Sequence, residues 1–362
     1  MTMIPGENRK SARVEAKRIL VVRYRFIGDT ILTVPFLRNL RHAYPNALID
    51  VLVGPQSGEV LQGCPYINDL ITFDTTRFHK YDSGKGKAKS FWSYVFELRK
   101  RKYDTVFLLK RSLSSAFLSL LIGARNRIGY DSEGRSLLLT HKVEWDQEKH
   151  EVLSTFDVLT AAGVEIVDDE LEAWISEQER AELIKLVPPV QKAGRKVLFH
   201  AAAAHPDKMY PLESWAKLIK TMNKEDRVIP YFTGAPADVE LYKKLEELSG
   251  VEGVNTAGIL SLRLSMALLA EMDLAMCTDS GPAHLAAAVG TPTIALFGPT
   301  DPERWRPWGS KHIAIYDQSL SCRPCNYKKT CDDRRECLTE LKPELVLQTA
   351  RKVLQRGGSL VR

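Results

Sequence analysis

Short apolar runs alternate with segments of helical periodicity along most of the chain. Such runs occupy Arg18 to Tyr24, Leu48 to Val53, Asp104 to Lys110 and Lys196 to Ala201. Each run has the length of a buried strand, and each leads through turn residues into an amphipathic segment. Repeated strand–helix units predict parallel sheets with helices on both faces, which is an α/β fold of the doubly wound type.

The pattern is sharpest in the stretch that begins at Asp273. Leu274 to Met276 predicts a short buried strand, Asp279 to Gly281 its exit turn, and Pro282 the first turn of a helix. A second strand is predicted from Thr293 to Phe297. A strand–helix–strand unit needs a parallel crossover, and such units bind ligands at the carboxyl ends of their strands.

The start of the predicted helix favours an anion such as a pyrophosphate, because its dipole and its unpaired N–H groups are electropositive. Gly281 lets a ligand approach the backbone, Ser280 adds a hydroxyl and His284 adds a ring donor. The alternative is that Asp279 or Ser280 merely caps the helix. The candidate residues for binding this anionic ligand are Thr278, Asp279, Ser280, Gly281, Ala283 and His284.

Composition limits the class of protein. The chain has 362 residues, of which 44% are hydrophobic, so it is long enough for two domains with substantial cores. No stretch approaches eighteen consecutive apolar residues, and the N-terminal residues are polar and basic. We therefore expect no secretion signal and no membrane-spanning helix.

The net charge of +6 hides an asymmetry between the two halves of the chain. Met1 to Lys142 contains 24 lysines and arginines against 12 acidic residues, a net +12, whereas the remainder contains 27 against 33, a net −6. A basic half raises the local concentration of an anionic partner. Phosphorylated lipid, nucleic acid and an acidic membrane surface all fit, and charge alone does not choose among them.

The turn after the first apolar run contains a single glycine, Gly28, followed by Asp29. One glycine is not the three-glycine dinucleotide fingerprint, so the turn does not support NAD binding. Asp29 or Thr30 is placed to cap the helix that follows.

A polar loop from Thr75 to Lys89 carries five lysines or arginines. The loop is either a clamp for the phosphates or other acidic groups of a ligand or a solvated flexible segment. The candidate residues for binding such a ligand are Arg25, Gly28, Arg77, Lys80, Lys110 and Arg111. In the second half, Asp238 and Glu240 are candidates for holding a nucleotide ribose, although either can simply begin a helix.

The run from Asp279 to Pro292, together with the run from Leu296 to Pro302, resembles the ADP-heptose:lipopolysaccharide heptosyltransferases, glycosyltransferase family 9. The resemblance covers nearly the whole chain. It implies two Rossmann-like domains facing a cleft, the GT-B fold, in an enzyme that works on the cytoplasmic side of the inner membrane.

In such an enzyme the residues named above from Thr278 to His284 would bind the sugar donor, and the set named above from Arg25 to Arg111 would bind the acceptor. The resemblance also implies roles for two further residues. Asp29 matches the family's catalytic base, which takes the proton of the acceptor hydroxyl. Lys208 matches a lysine that holds the nucleotide phosphates. The chain departs from the family pattern at Ala201 to Ala204, where relatives often place glycine or hydroxyl residues, so Lys208 is expected to bear more of the phosphate charge or donor affinity to be weaker.

Four cysteines cluster near the C-terminus: Cys322, Cys325, Cys331 and Cys337. Four thiols so close together are able to hold a structural zinc ion, although only the first pair has familiar spacing; reduced thiols or disulfides are the alternatives. Similar cysteines occur in some family members, and here they resemble heptosyltransferase II more than heptosyltransferase I.

These expectations define an inverting glycosyltransferase that moves heptose from ADP-heptose to the anionic lipopolysaccharide inner core, as a peripheral membrane protein. No cofactor is expected, because no Asp-x-Asp metal motif stands in either predicted turn. The alternatives are a transferase with another nucleotide sugar or acceptor, a sugar-nucleotide epimerase and a basic polyanion-binding protein; nucleic acid is not an expected partner.

The predicted layout is a basic tail at 1–17, an acceptor domain at 18–175, a linker at 176–195, a donor domain with the cysteines at 196–341, and a last helix at 342–362 that packs back on the first domain.

Overall fold

The computed structural model describes residues 13–74, 89–191, 193–327 and 335–357. The chain divides into two compact units. The first unit comprises Met1–Gly58 and Cys64–Asp169, and the second comprises Glu59–Gly63 and Glu170–Arg362. No helix of the described residues is both long and apolar enough to cross a membrane.

The first unit contains a parallel sheet with helices on both sides. Its described strands and helices are β1 (Arg18–Val22), α1 (Ile27–Ile31), α2 (Val34–Ala43), β2 (Leu48–Val53), β3 (Asp69–Thr72), α3 (Phe91–Lys100), β4 (Thr105–Leu108), α4 (Leu113–Leu121), β5 (Asn126–Tyr130), β6 (His141–Val143) and α5 (Glu151–Ala161). Among the described residues the sheet has six strands in the order β3-β2-β1-β4-β5-β6.

The second unit repeats this arrangement. Its described strands and helices are α6 (Glu177–Leu186), β7 (Arg195–His200), α7 (Leu212–Asp226), β8 (Val228–Phe232), α8 (Val239–Ser249), β9 (Val254–Asn255), α9 (Leu262–Ala270), β10 (Leu274–Thr278), α10 (Gly281–Ala288), β11 (Thr293–Leu296), α11 (Pro302–Trp305), β12 (Ile313–Ile315), α12 (Glu336–Thr339) and α13 (Pro343–Gly357). Within the described part of this unit the sheet order is β12-β11-β10-β7-β8-β9.

The central strands are continuous apolar runs because helices cover both faces of each sheet. Residues 19–22 of β1 and all five residues of β10 are buried. Helix starts follow ordinary capping chemistry: the Ser90 and Ser112 side chains accept backbone N–H bonds at the starts of α3 and α4. The predicted doubly wound α/β fold is therefore confirmed in each unit.

The predicted layout differs from the structure in two places. Val14 and Lys17, placed in the basic tail, donate backbone hydrogen bonds to Ala162 and Asp104, so contacts with the first unit begin before β1. The predicted linker at 176–195 contains α6, which starts with a complete capping box between Ser176 and Glu179. The division between the two units lies at Asp169 and Glu170, ahead of the predicted linker.

The last helix, α13, packs within the second unit. Its apolar face, formed by residues such as Val346 and Ala350, is buried in the core of that unit together with Trp215. Arg351 adds an ion pair to Asp226 at the end of α7. The packing of this helix against the first domain stays a prediction.

Each sheet reverses its strand order at one point. In the first unit the reversal lies between β1 and β4, which pair directly, and in the second it lies between β7 and β10. Ligands of doubly wound sheets bind just outside the carboxyl ends of the strands at such a switch point. The turns after these four strands are consequently the places to look for a site.

Candidate active site

Asp29 follows β1 at the switch point of the first unit, within the short helix α1. Its side chain is 24% exposed. The N-cap positions of α1 and α2 are Phe26 and Thr33, and no side-chain cap bond forms at either, so the prediction that Asp29 or Thr30 caps a helix is wrong. Phe26 has a φ of 59°, and strained backbone of this kind concentrates at functional sites.

A buried cation lies beside Asp29. Arg23 Nη2 is 2.7 Å from Glu151 Oε1 and 3.6 Å from Asp29 Oδ2. Burial acts to lower the pKa of the Arg23 guanidinium, but the charges of Asp29 and Glu151 outweigh burial and raise this pKa above its usual value. Glu151 is the nearer carboxylate and accepts a hydrogen bond from this guanidinium, whereas the Asp29 carboxylate acts on it through its charge at the longer distance.

Lysine and arginine side chains surround the same switch point. Lys110 follows β4, and its Nζ lies 4.5 Å from the centre of the Tyr24 ring. Burial, with help from the charges of Arg25 and Arg23, lowers the pKa of Lys110 to about 8. The guanidinium of the next residue, Arg111, lies 3.3 Å from the centre of the Trp145 ring.

The predicted acceptor residues are therefore brought together in part. Arg25, Gly28, Lys110 and Arg111 all lie in the turns after β1 and β4, whereas Arg77 and Lys80 fall outside the described residues. A cavity of about 150 Å³ opens between residues 24–27, after β1, and residues 54–57, after β2. A Cβ at Gly54 would lie 2.7 Å from the Tyr24 carbonyl oxygen, so the close approach of these two turns requires glycine.

The switch point of the second unit contains a short ion pair. Lys208 Nζ is 2.7 Å from Asp279 Oδ2, and the side chain of Asp279 is only 6% exposed. The Thr300 hydroxyl donates to the same carboxylate oxygen. Burial acts to lower the pKa of Lys208, but Asp279 more than compensates and raises it. The two predicted donor residues are thus in direct contact, although 71 positions separate them in the sequence.

Helix α10 begins beside this ion pair. Ser280 is its N-cap residue but forms no side-chain cap bond, and its hydroxyl donates to the Thr278 carbonyl. The Thr278 hydroxyl donates to the Ala202 carbonyl, which ties the β10 turn to the β7 turn. The backbone N–H of Ala283 donates to the Ser280 carbonyl, so the expectation that this N–H is unpaired is wrong; the first turn closes on itself.

Both candidate ribose carboxylates have local partners. Asp238 accepts the backbone N–H of Ala235 at 2.8 Å, and Glu240 pairs with Lys243 on the surface of α8. These contacts match the alternative in which each residue helps to begin a helix, and the ribose role stays a prediction.

The zinc hypothesis also stays a prediction. Cys322 and Cys325 are partly exposed, Cys337 is buried, and no disulfide joins the cysteines of the described ranges. Those ranges hold no cluster of three or more metal-ligating side chains, but Cys331 lies outside them.

Several site residues escaped the sequence-based prediction. Arg23 and Glu151 are 128 positions apart, and no local pattern pairs them. A charged residue directly after the apolar run of β1 was the available signal for Arg23. Tyr327, which forms a hydrogen bond with Lys208, and Thr300 had no recognisable signal.

Two doubly wound units, each with polar and charged groups at its switch point, define the class of GT-B glycosyltransferases. A family model described as glycosyltransferase family 9 (heptosyltransferase) matches residues 91–334. This chain belongs to that family and is a glycosyltransferase.

Individual relatives agree with this assignment. Lipopolysaccharide heptosyltransferase 3 of Escherichia coli is 29% identical over 303 residues, which cover 81% of this chain and 86% of the relative. The crystal structure of a family 9 glycosyltransferase from Veillonella parvula has a TM-score of 0.82 at 24% identity, covering 94% of this chain and 98% of that chain. The structure of E. coli ADP-heptose lipopolysaccharide heptosyltransferase II has a TM-score of 0.74 at 23% identity, covering 94% and 99%. These two structures share the fold.

Proposed function

We propose that this glycosyltransferase transfers a heptose from ADP-heptose to a sugar of the lipopolysaccharide inner core, with inversion at the anomeric carbon. The observation that carries the proposal is the Lys208–Asp279 pair beside α10, at the switch point of a unit whose sequence matches the heptosyltransferase family. The names of the relatives, lipopolysaccharide heptosyltransferase 3 and ADP-heptose lipopolysaccharide heptosyltransferase II, supply the donor and the acceptor class.

In the proposed reaction the acceptor hydroxyl gives its proton to Asp29 as its oxygen attacks the anomeric carbon. The new glycosidic bond forms while the bond from that carbon to the diphosphate oxygen breaks, and ADP leaves with the electron pair. Asp29 suits a general base because its side chain is partly exposed and follows β1 at the switch point of the first unit.

The leaving diphosphate is stabilised in this proposal by the Lys208 ammonium and the dipole of α10. A diphosphate bound there competes with Asp279 for Lys208, and Asp279 is then available to accept a hydrogen bond from the donor sugar. Because protein groups stabilise the negative charge of the leaving diphosphate in this proposal, it includes no catalytic metal ion.

The cations after β1 and β4 are proposed to bind the acidic sugars or phosphates of the acceptor. Because this acceptor is a glycolipid, we also propose that the enzyme meets it as a peripheral protein at the cytoplasmic face of the inner membrane. Which core heptose it adds is left to experiment, since the relatives carry the names of more than one heptosyltransferase type.

The test is to incubate the native chain with ADP-heptose and truncated core acceptors while following ADP release and acceptor mass together. The proposal expects one heptose added per ADP released. Consumption of a different nucleotide sugar, with ADP-heptose left intact, would show that the fold assignment stands and the donor is wrong. ADP-heptose conversion in the absence of any acceptor would favour an epimerase-like reaction.

A further inference from the structure

The outer faces of α3 and α4 carry an unusual set of exposed apolar side chains. On α3, Trp92 is 56% exposed and Phe96 is 63% exposed. On α4, Leu113, Phe117 and Leu120 are all more than 40% exposed. Single exposed apolar residues are ordinary on protein surfaces, but clusters mark interaction sites.

These exposed side chains lie on the sides of α3 and α4 that face away from the sheet. The opposite faces of the two helices are buried in one core cluster against the sheet, through residues such as Leu98 and Leu118. The helices are also linked directly, since Arg99 Nη1 donates to the Leu121 carbonyl. Spacings of four residues in Trp92–Phe96 and Leu113–Phe117 keep each pair on one side of its helix.

A third element extends the same surface. The turn Ser136–Leu138 packs against the core cluster below α4 through Leu138, and it carries Leu137, which is 93% exposed. An apolar side chain that projects so far gains nothing from the fold itself. We call Trp92, Phe96, Leu113, Phe117, Leu120 and Leu137 the apolar face.

Basic side chains follow the two helices. Arg99 to Lys102, at the end of α3, are four consecutive cations, and Arg101 among them is paired with Asp50 and Asp69. Lys100, and Arg125 after α4, are exposed, and we call these two residues the basic border. Helix α4 itself carries no charged residue, and Glu97 on α3 is paired with Lys89.

We propose that the apolar face and its basic border form the surface by which this enzyme binds an anionic phospholipid bilayer. Tryptophan and phenylalanine insert at the boundary between headgroups and acyl chains, while lysine and arginine attract anionic headgroups. The sign of the border matches such a membrane and repels a second copy of the same surface. The proposal rests on the proposed function only for the expectation that the acceptor is membrane-bound.

The test is flotation of the full chain with vesicles of phosphatidylethanolamine and phosphatidylglycerol, compared with vesicles of phosphatidylcholine alone. We expect the native chain to float with the anionic vesicles. Phe117→Ser combined with Leu120→Ser should weaken that binding about tenfold, because two apolar groups no longer enter the membrane. Lys100→Glu combined with Arg125→Glu should weaken it similarly and reduce its dependence on salt.

Leu345→Ser is the matched control, since Leu345 is a 49% exposed leucine on α13 of the second unit. It should leave vesicle binding unchanged. Heptose transfer to a lipid-free core oligosaccharide should be the same in all three variants as in the native chain, which shows that they fold and separates this test from that of the proposed function.

Three results would overturn the proposal. Failure of the native chain to float with anionic vesicles would exclude the membrane as the partner. Equal flotation of the Phe117/Leu120 variant places the membrane surface elsewhere. A dimer that this variant dissociates, with vesicle binding unchanged, assigns the apolar face to self-association.

Discussion

The two switch points use the same kinds of residue in different ways. In the first unit, Asp29 lies 3.6 Å from Arg23, whose closer partner is Glu151. In the second unit, Asp279 lies 2.7 Å from Lys208 and is almost fully buried. The first carboxylate is partly exposed and lies farther from Arg23 than Asp279 lies from Lys208, as suits a group that exchanges a proton. The second is held in place, as suits a group that orients a ligand and a lysine.

Removing the Asp29 carboxylate should have the largest effect on catalysis. We expect Asp29→Asn to lower kcat by about 10³-fold, because a positioned general base contributes on the order of 10²- to 10⁴-fold. Steady-state ADP release with saturating substrates measures this. Retention of more than a tenth of native kcat would exclude Asp29 as the base.

Breaking the short pair should cost stability as well as activity. Lys208→Met leaves the buried Asp279 carboxylate without its cation, so the free energy of unfolding should fall by about 3 kcal/mol. Urea denaturation measures the change. The control is Lys217→Met, which removes an exposed pair with Glu344 and should cost less than about 1 kcal/mol. Equal losses in the two variants would contradict a special role for the buried pair.

The effect of the Glu151–Arg23 ion pair on the basicity of Asp29 can be tested separately. Glu151→Gln leaves the full Arg23 charge facing Asp29, which stabilises the carboxylate and makes it a weaker base. We expect kcat to fall about tenfold and the acid limb of its pH profile to move to lower pH. Lys110 lies at the same switch point, and the described charged groups that act on it are Arg25, Arg23, Asp29 and Glu133. A lower kcat with an unmoved acid limb would mean that Glu151 acts only on folding.

The smallest expected effect concerns Lys110. Its pKa is lowered to about 8, so the side chain is charged below that pH and loses its charge as the pH rises through it. The KM for an anionic acceptor should therefore rise a few-fold between about pH 7 and about pH 9. Lys110→Arg should abolish the rise, because arginine stays charged. A rise of the same size in the arginine variant would assign it to another group.

The sequence was sufficient for the parts of the molecule governed by local pattern. Apolar runs predicted the strands, and the turns after β1, β7 and β10 were correctly placed at strand ends. A family resemblance then selected Asp29, Lys208 and Asp279 from many polar residues.

Contacts between distant residues were beyond prediction. The pairing of Arg23 with Glu151 and the bond from Thr300 to Asp279 depend on which strands become neighbours. The sequence predicted the last helix but not that its apolar face would be buried in the core of the second unit, where it packs with residues of α7. The apolar face of α3 and α4 likewise became visible only once burial separated their inner residues from their outer ones.

The central claim is that Asp29, in the first unit, acts as the base, whereas Lys208, in the second unit, binds the diphosphate. ADP binding tests this claim most directly. Isothermal titration calorimetry with ADP would compare the native chain with Asp29→Asn and Lys208→Met. The account predicts that Asp29→Asn keeps the native Kd within about twofold, whereas Lys208→Met weakens it at least about tenfold by removing a charged hydrogen bond to phosphate. Weakened ADP binding in the Asp29 variant, with native binding in the Lys208 variant, would contradict it.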